Sequence, residues 1–158
     1  MNTAITRILI TGALLFATSA FAAGALPEPA RAPDKFETVR AQIAANNFPG
    51  AIDELKRLND TGSADWNNLM GYSLRKGATP DFAGAEKFYD EALRIDPRHR
   101  GALEYSGELY LQTGDIAKAE QRLAALDKAC RFGCSEYSDL KKAVAQYKGG
   151  DSKRSSSY

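Results

Sequence analysis

Two cysteines and one histidine are the side chains of this chain best suited to redox, metal or acid–base chemistry. Cys130 and Cys134 are the only cysteines, spaced C-x-x-x-C, and His99 is the only histidine. This spacing differs from the C-x-x-C of thioredoxin-like enzymes, and a zinc site would need about four ligands. A cuprous ion accepts two thiolates, so copper handling and redox exchange stand as alternatives to a structural disulfide.

The cysteine spacing favours a disulfide. In an oxidising compartment two cysteines this close, with Gly133 freeing the backbone between them, are expected to pair. The loop is short, so the chain-entropy estimate of the stabilisation is only about 2 kcal/mol. We therefore expect Cys130 and Cys134 to form a local staple.

The remaining ionisable residues predict no catalytic site. His99 follows Pro97 at a turn, where an exposed side chain is expected, and catalysis by a histidine requires an orienting partner. Acidic and basic residues recur at helical spacing, which is typical of solvated helix faces. The sequence contains no P-loop, G-x-G-x-x-G or H-E-x-x-H motif. We expect a non-enzymatic protein with no cofactor and no metal.

The first 22 residues resemble a secretory signal peptide. Arg7 is the positive charge, residues 8–17 are apolar, and Ala20-Phe21-Ala22 is a small-x-small cleavage site. The apolar run is too short to span a bilayer, so we expect cleavage before Ala23, a periplasmic or secreted protein and no stable membrane insertion afterwards. A retained N-terminal anchor is the alternative.

The charge balance of the mature chain excludes two classes of partner. Loss of Arg7 leaves 20 Lys and Arg residues against 20 Asp and Glu residues. This balance gives no basic field for nucleic acid or an anionic membrane. Residues 23–33 contain three prolines and predict an extended linker.

A 34-residue period organises the rest of the chain. Four apolar positions recur at this step in three copies: Phe48, Phe82 and Ile116; Ala51, Ala85 and Ala119; Leu55, Tyr89 and Leu123; Leu58, Ala92 and Leu126. A period of 34 residues is that of a helix-turn-helix unit whose apolar face is buried by stacking on its neighbour. The prediction is an all-α solenoid.

The period also predicts the boundaries. Asp34 and Ser135 are expected to be the N-caps of the first and last helices, and residues 78–80 lengthen one turn by about two residues. The expected segments are repeats at about 34–63, 64–99 and 100–133, a capping helix at 135–147 and a disordered tail at 148–158. Because three repeats are the usual minimum, the open end of the array leaves a homodimer as an alternative to a monomer.

Two segments carry a family resemblance. Leu103-x-x-Ser-Gly107-x-x-Tyr110 and Ala85-x-x-x-Tyr89-x-x-Ala92-Leu93-x-Ile95-Asp96-Pro97 resemble the tetratricopeptide repeat signature. The first repeat departs from it, because its first helix lacks the matching glycine. The residues expected at the repeat core positions are Ala51, Gly71, Ala85, Tyr89, Ala92, Pro97, Gly107, Tyr110 and Ala119.

The resemblance implies a superhelix whose first helices line a concave groove for a peptide or partner protein. On the positions of that family, the groove residues are Asn68, Tyr72, Arg75, Glu104, Glu108 and Leu111. Some family members hold a partner's C-terminal carboxylate with lysines and asparagines, and the acidic Glu104 and Glu108 do not fit that clamp. We expect a scaffold or adaptor, although simply solvated helix faces are the alternative.

Overall fold

The computed structural model describes residues 34–150. The predicted signal peptide, the linker at 23–33 and residues 151–158 of the predicted tail lie outside the described residues. The helices are α1 (Glu37–Ala44), α2 (Phe48–Leu58), α3 (Ala64–Lys76), α4 (Phe82–Ile95), α5 (Arg100–Thr113), α6 (Ile116–Ala129) and α7 (Ser135–Lys148). Residues 34–150 contain no strand, which confirms the all-α prediction, and none of their helices is long and apolar enough to cross a membrane.

The helices form three hairpins followed by α7. Within each hairpin, α1 packs against α2, α3 against α4 and α5 against α6. Each hairpin then packs on the next through α2 with α3 and α4 with α5. The last helix packs against both α5 and α6. It therefore occupies the place that the first helix of a further repeat would take.

The helix ends differ from the sequence prediction at three places. Asp34 does not cap α1, because its Oδ1 accepts a hydrogen bond from the Phe36 amide at 3.0 Å and the helix begins only at Glu37. Cys134 rather than Ser135 is the N-cap of α7, because its backbone is extended and Ser135 is already helical. The same helix continues through Lys148, one residue into the predicted tail.

The hydrophobic core has two parts that meet at Leu74. The first part lies between α1, α2 and α3, where Trp66 is buried and donates its indole Nε1–H to the carbonyl oxygen of Leu55 at 2.7 Å. The second part lies between α4, α5, α6 and α7 around the fully buried Tyr89. Burial of large aromatic side chains is a major contribution to stacking of the helices.

Most predicted core positions are buried, and Pro97 is the exception. It is exposed in the turn between α4 and α5, after the extended backbone of Asp96. A residue before proline is driven out of the helical region by contact with the proline ring. Pro97 therefore ends a helix instead of filling the core.

Gly71 marks the closest approach inside the second hairpin. A Cβ atom on Gly71 would lie 2.8 Å from Cε1 of Tyr89 and 3.1 Å from the carbonyl oxygen of Ala85. Gly107 is equally close to α7, since its Cβ would lie 2.5 Å from Cδ2 of Leu140. Both glycines let neighbouring helices approach where a larger side chain would separate them.

The Cys130–Cys134 pair joins the end of α6 to the start of α7. The two sulfur atoms are bonded at 2.04 Å, and the residues are the C-cap of α6 and the N-cap of α7. The Sγ atom of Cys134 also accepts a hydrogen bond from the Tyr137 amide at 3.4 Å. The disulfide thus closes the turn that carries the capping helix.

We expect Gly71→Ala to lower the free energy of unfolding by about 1–3 kcal/mol, because the added methyl group meets a buried ring and a backbone oxygen. Chemical denaturation would measure the change. Gly62→Ala is the matched control, since its Cβ has no neighbour within 4 Å. Equal stability of the two variants would contradict the close approach.

We expect the double variant Cys130→Ser/Cys134→Ser to lose about 2 kcal/mol of unfolding free energy by the chain-entropy estimate. Dithiothreitol should destabilise the wild type by a similar amount and leave the double variant unchanged. Denaturation curves with and without the reductant would test this. Two free thiols in protein purified from its native compartment would refute the staple.

Candidate functional site

A groove with a volume of about 560 Å³ lies along the first helices of the repeats. We call it the first-helix groove. Its walls come from α1, α3, the α4–α5 turn, α5 and the start of α7: Arg40, Ile43, Ala44, Asp65, Asn68, Leu69, Tyr72, Asp96, Arg98, His99, Arg100, Gly101, Glu104, Tyr105 and Glu136. Of the six groove residues expected from the sequence, this lining includes Asn68, Tyr72 and Glu104.

The other three expected groove residues do not line this cavity. Arg75, Glu108 and Leu111 are buried, with exposed fractions of 2%, 9% and 3%. Asn68 and Glu104 are about as deeply buried, so burial alone does not exclude a residue from the groove. Arg75 and Glu108 are set apart because they already pair with each other, and Leu111 because it packs in the hydrophobic core. The family resemblance places them on the groove side, but contacts between helices enclose them.

Arg75 connects the second repeat to the third. Its Nη2 donates to Oε2 of Glu108 at 2.7 Å, and its Nη1 donates to Oε1 of Gln112 at 3.2 Å. The guanidinium carbon also lies 5.6 Å from the ring centroid of Tyr72 and 5.8 Å from that of Tyr105. Removing one partner from a buried ion pair leaves an uncompensated charge, so Arg75 has a structural role.

Two tyrosine rings form the aromatic part of the first-helix groove. The rings of Tyr72 and Tyr105 have centroids 4.8 Å apart, and Tyr72 also contacts Phe48. Burial, followed by nearby Glu104, raises the pKa of Tyr105 to about 12, so its phenol is neutral at physiological pH. Neutral phenol rings offer both hydrogen bonding and an aromatic face to a ligand.

Tyr105 was not predicted as a groove residue, although the spacing of the repeats relates it to another residue of the groove. The turn insertion places equivalent positions of α3 and α5 36 residues apart, as for Gly71 and Gly107. By that step Tyr105 corresponds to Leu69, and both line the groove. The face of a first helix that contributes to the groove is therefore wider than the expected positions.

His99 differs from the expected exposed side chain. It is the N-cap of α5, where its Nδ1 accepts a hydrogen bond from the Ala102 amide at 3.0 Å. Its Nε2 lies 3.1 Å from Oδ1 of Asp65, one repeat earlier. Because Nδ1 is an acceptor here, the proton of the neutral ring belongs on Nε2, facing Asp65. His99 thus links two repeats at the edge of the groove.

Most charged groups of the first-helix groove have partners. Arg40 pairs with Asp34 at 2.9 Å, and Arg100 lies 3.6 Å from Glu136. Arg98 donates to the backbone carbonyl of Ala129 at 3.2 Å. Exposed pairs of this kind contribute little to stability, but they reduce the charge that the groove offers to a ligand.

Glu104 is the exception among the lining carboxylates. Only 8% of it is exposed, and no ion pair or hydrogen bond from residues 34–150 reaches its carboxylate. Burial above all, and then the negative charges of Glu108, Asp139 and Glu136, raise the pKa of Glu104 to about 8. Arg75 opposes this rise, but less strongly. A carboxyl group with this pKa is mostly protonated at pH 7.

Two other cavities are less suited to recognition. One of about 420 Å³ lies between α2 and the α3–α4 turn, with mainly apolar walls that include Phe48, Ile52 and Leu74. Another of about 220 Å³ lies between α4, α5 and α6. In this smaller cavity Arg122 pairs with Asp90 at 2.7 Å, and Lys118 pairs with Glu86 at 3.1 Å. Its charges thus already serve to join helices.

The cysteines do not belong to the groove. Neither Cys130 nor Cys134 lines it. Within residues 34–150, no three His, Cys, Asp or Glu side chains are grouped so that they could hold a metal ion. Neither cysteine of this chain is free, which is consistent with the structural role argued for the pair.

We expect Glu104→Gln to alter how stability depends on pH. The pKa of Glu104 is raised in the folded state, so its stabilising contribution is complete below the ordinary pKa of a glutamate and is lost as the pH rises through about 8. The wild type should therefore lose melting temperature relative to Glu104→Gln between pH 5 and pH 8.5. Asp53→Asn, at an exposed carboxyl group on α2, is the control and should follow the wild type. Parallel melting curves of wild type and Glu104→Gln would contradict the raised pKa.

Comparison with known proteins agrees with this architecture. A model of the tetratricopeptide repeat family matches residues 79–145, from the α3–α4 turn into α7. No curated protein matches the chain. Repeats of this family generally mediate protein–protein interactions, and the family is typically non-catalytic. With the stacked helical hairpins, this match identifies residues 79–145 as tetratricopeptide repeats.

Proposed function

We propose that this protein is a non-catalytic adaptor of the bacterial periplasm that binds a segment of a partner protein in the first-helix groove. The observation that carries the proposal is the groove itself, which three repeats and the capping helix line together. A site built from several repeats forms only when the array is intact, which suits recognition by a solenoid.

The chemistry of the groove supports a peptide ligand. Tyr72 and Tyr105 provide an aromatic surface, and Asn68 and Glu104 provide polar groups beside it. Aromatic side chains next to a few placed polar groups are typical of recognition sites. The proposed location rests on the signal-peptide pattern of residues 1–22.

A photo-crosslinker placed in the groove tests this function. We expect p-benzoylphenylalanine at position 72 to form a covalent adduct with a defined envelope protein in living cells, because the partner would cover that position. The same crosslinker at position 120, an exposed site on α6, is the matched control. Mass spectrometry would identify each adduct.

A substitution adds a second arm to this experiment. Tyr72→Ala should reduce capture of the crosslinked partner by an affinity-tagged protein, whereas Tyr147→Ala should not, because Tyr147 is half-buried but lies outside the groove. Thermal melting of both variants establishes that they are folded. Equal adducts at positions 72 and 120, or equal capture by both variants, would contradict groove binding.

A further inference from the structure

In the wall of the first-helix groove, the buried carboxylate of Glu104 has no cationic partner among residues 34–150. Glu104 and Glu108 lie one helical turn apart on α5, and Arg75 is the buried guanidinium near both. Arg75 pairs with Glu108 at 2.7 Å, and its other terminal nitrogen is used by Gln112. The ion pair thus satisfies Glu108 alone, and Glu104, which lines the groove, has no ion-pair partner among residues 34–150.

Asn68 gives a second, independent observation at the same place. Only 6% of it is exposed, and its buried Oδ1 has no hydrogen-bond donor among residues 34–150. The side chain reaches from α3 to the first turn of α5, since a Cβ atom on Gly101 would lie 3.0 Å from its Nδ2. An unpaired buried acceptor is costly, and Asn68 lines the groove, so a ligand donor that reaches this oxygen would relieve the cost.

The aromatic walls of the groove favour the same class of ligand. Tyr72 and Tyr105 already place their rings around one guanidinium, that of Arg75. Aromatic rings attract cations through their electron-rich faces, and the attraction increases when the site excludes water. A carboxylate, an amide oxygen and two phenol rings together match an ammonium or guanidinium group that carries several N–H donors.

We propose that the first-helix groove recognises a lysine or arginine side chain of the partner protein, whose cationic group pairs with Glu104 and donates a hydrogen bond to Asn68. This inference rests on the proposed function of the groove. It specifies the chemistry of the bound segment, and the neighbouring residues of that segment contact the tyrosine rings. The cationic group of the ligand pairs with the Glu104 carboxylate in the same way as the Arg75 guanidinium pairs with the Glu108 carboxylate.

The pairing makes binding depend on pH. Burial and the charges of Glu108 on α5 and of Glu136 and Asp139 on α7 favour the neutral form of Glu104, against Arg75 on α3. A bound cation favours the ionised form, so the complex forms with loss of a proton below about pH 8. Affinity for a cationic segment should fall by roughly tenfold for each pH unit below the pKa of Glu104. His99 also lines the groove and is unchanged in the variants.

A random peptide library displayed on phage provides the first test. The purified wild-type protein should enrich peptides that carry lysine or arginine at one fixed position. Glu104→Gln should lose that enrichment while it keeps the preferences at other positions, and Glu120→Gln on α6 should behave as the wild type. Enrichment without any lysine or arginine preference would overturn this inference and leave groove binding standing. Enrichment of no peptide would overturn the proposed groove binding and this inference with it.

Affinity measurements on a selected peptide complete the test. We expect replacement of its basic residue by norleucine to weaken binding roughly tenfold or more at pH 8.5, because a charge-assisted pair is lost. Wild-type affinity should rise from pH 6 to pH 8.5, and Glu104→Gln should show a much flatter profile. The inference fails if both proteins show the same profile, or if norleucine binds as well as lysine.

Discussion

The buried guanidinium of Arg75 is the interaction on which the arrangement of the groove depends. It joins α3 to α5 through Glu108 and Gln112, and it supports the rings of Tyr72 and Tyr105. A buried charge is tolerated only when its partners are correctly placed. The same contacts of Arg75 therefore hold the second repeat against the third and hold the two tyrosine rings in the groove.

Stacking of the repeats also requires small side chains where two helices approach each other closely. Gly71 lies against Tyr89 within its own hairpin, whereas Gly107 lies against Leu140 of the capping helix. The same repeat position thus serves two different contacts, and α7 completes the third repeat as well as covering the end of the array. The disulfide at the α6–α7 turn acts on this helix. Glu136, near the start of the same helix, lines the groove.

The sequence predicted the fold well because each repeat encodes the same local pattern, and the small and aromatic residues at that step define every hairpin. It predicted the helix ends less well, since Asp34 and Cys134 depend on turns that periodicity does not describe. For the site, the family resemblance placed six residues of the first helices in the groove, and Asn68, Tyr72 and Glu104 line it. The sequence could not show that Arg75 and Glu108 form an ion pair with each other, because that pairing depends on the distance between helices from different repeats.

Because Arg75 pairs with Glu108, negative charge near Glu104 exceeds the positive charge that the fold places there. Glu104 remains buried near three other carboxylates, which Arg75 opposes less strongly, and the Oδ1 atom of Asn68 has no donor among residues 34–150. Natural proteins retain such unfavourable groups mainly where function requires them. A solenoid whose only task was to be stable would place an apolar residue at position 104, facing the tyrosine rings. The cost at Glu104 is instead released when a cation arrives, so the same carboxyl group that weakens the free protein strengthens the complex.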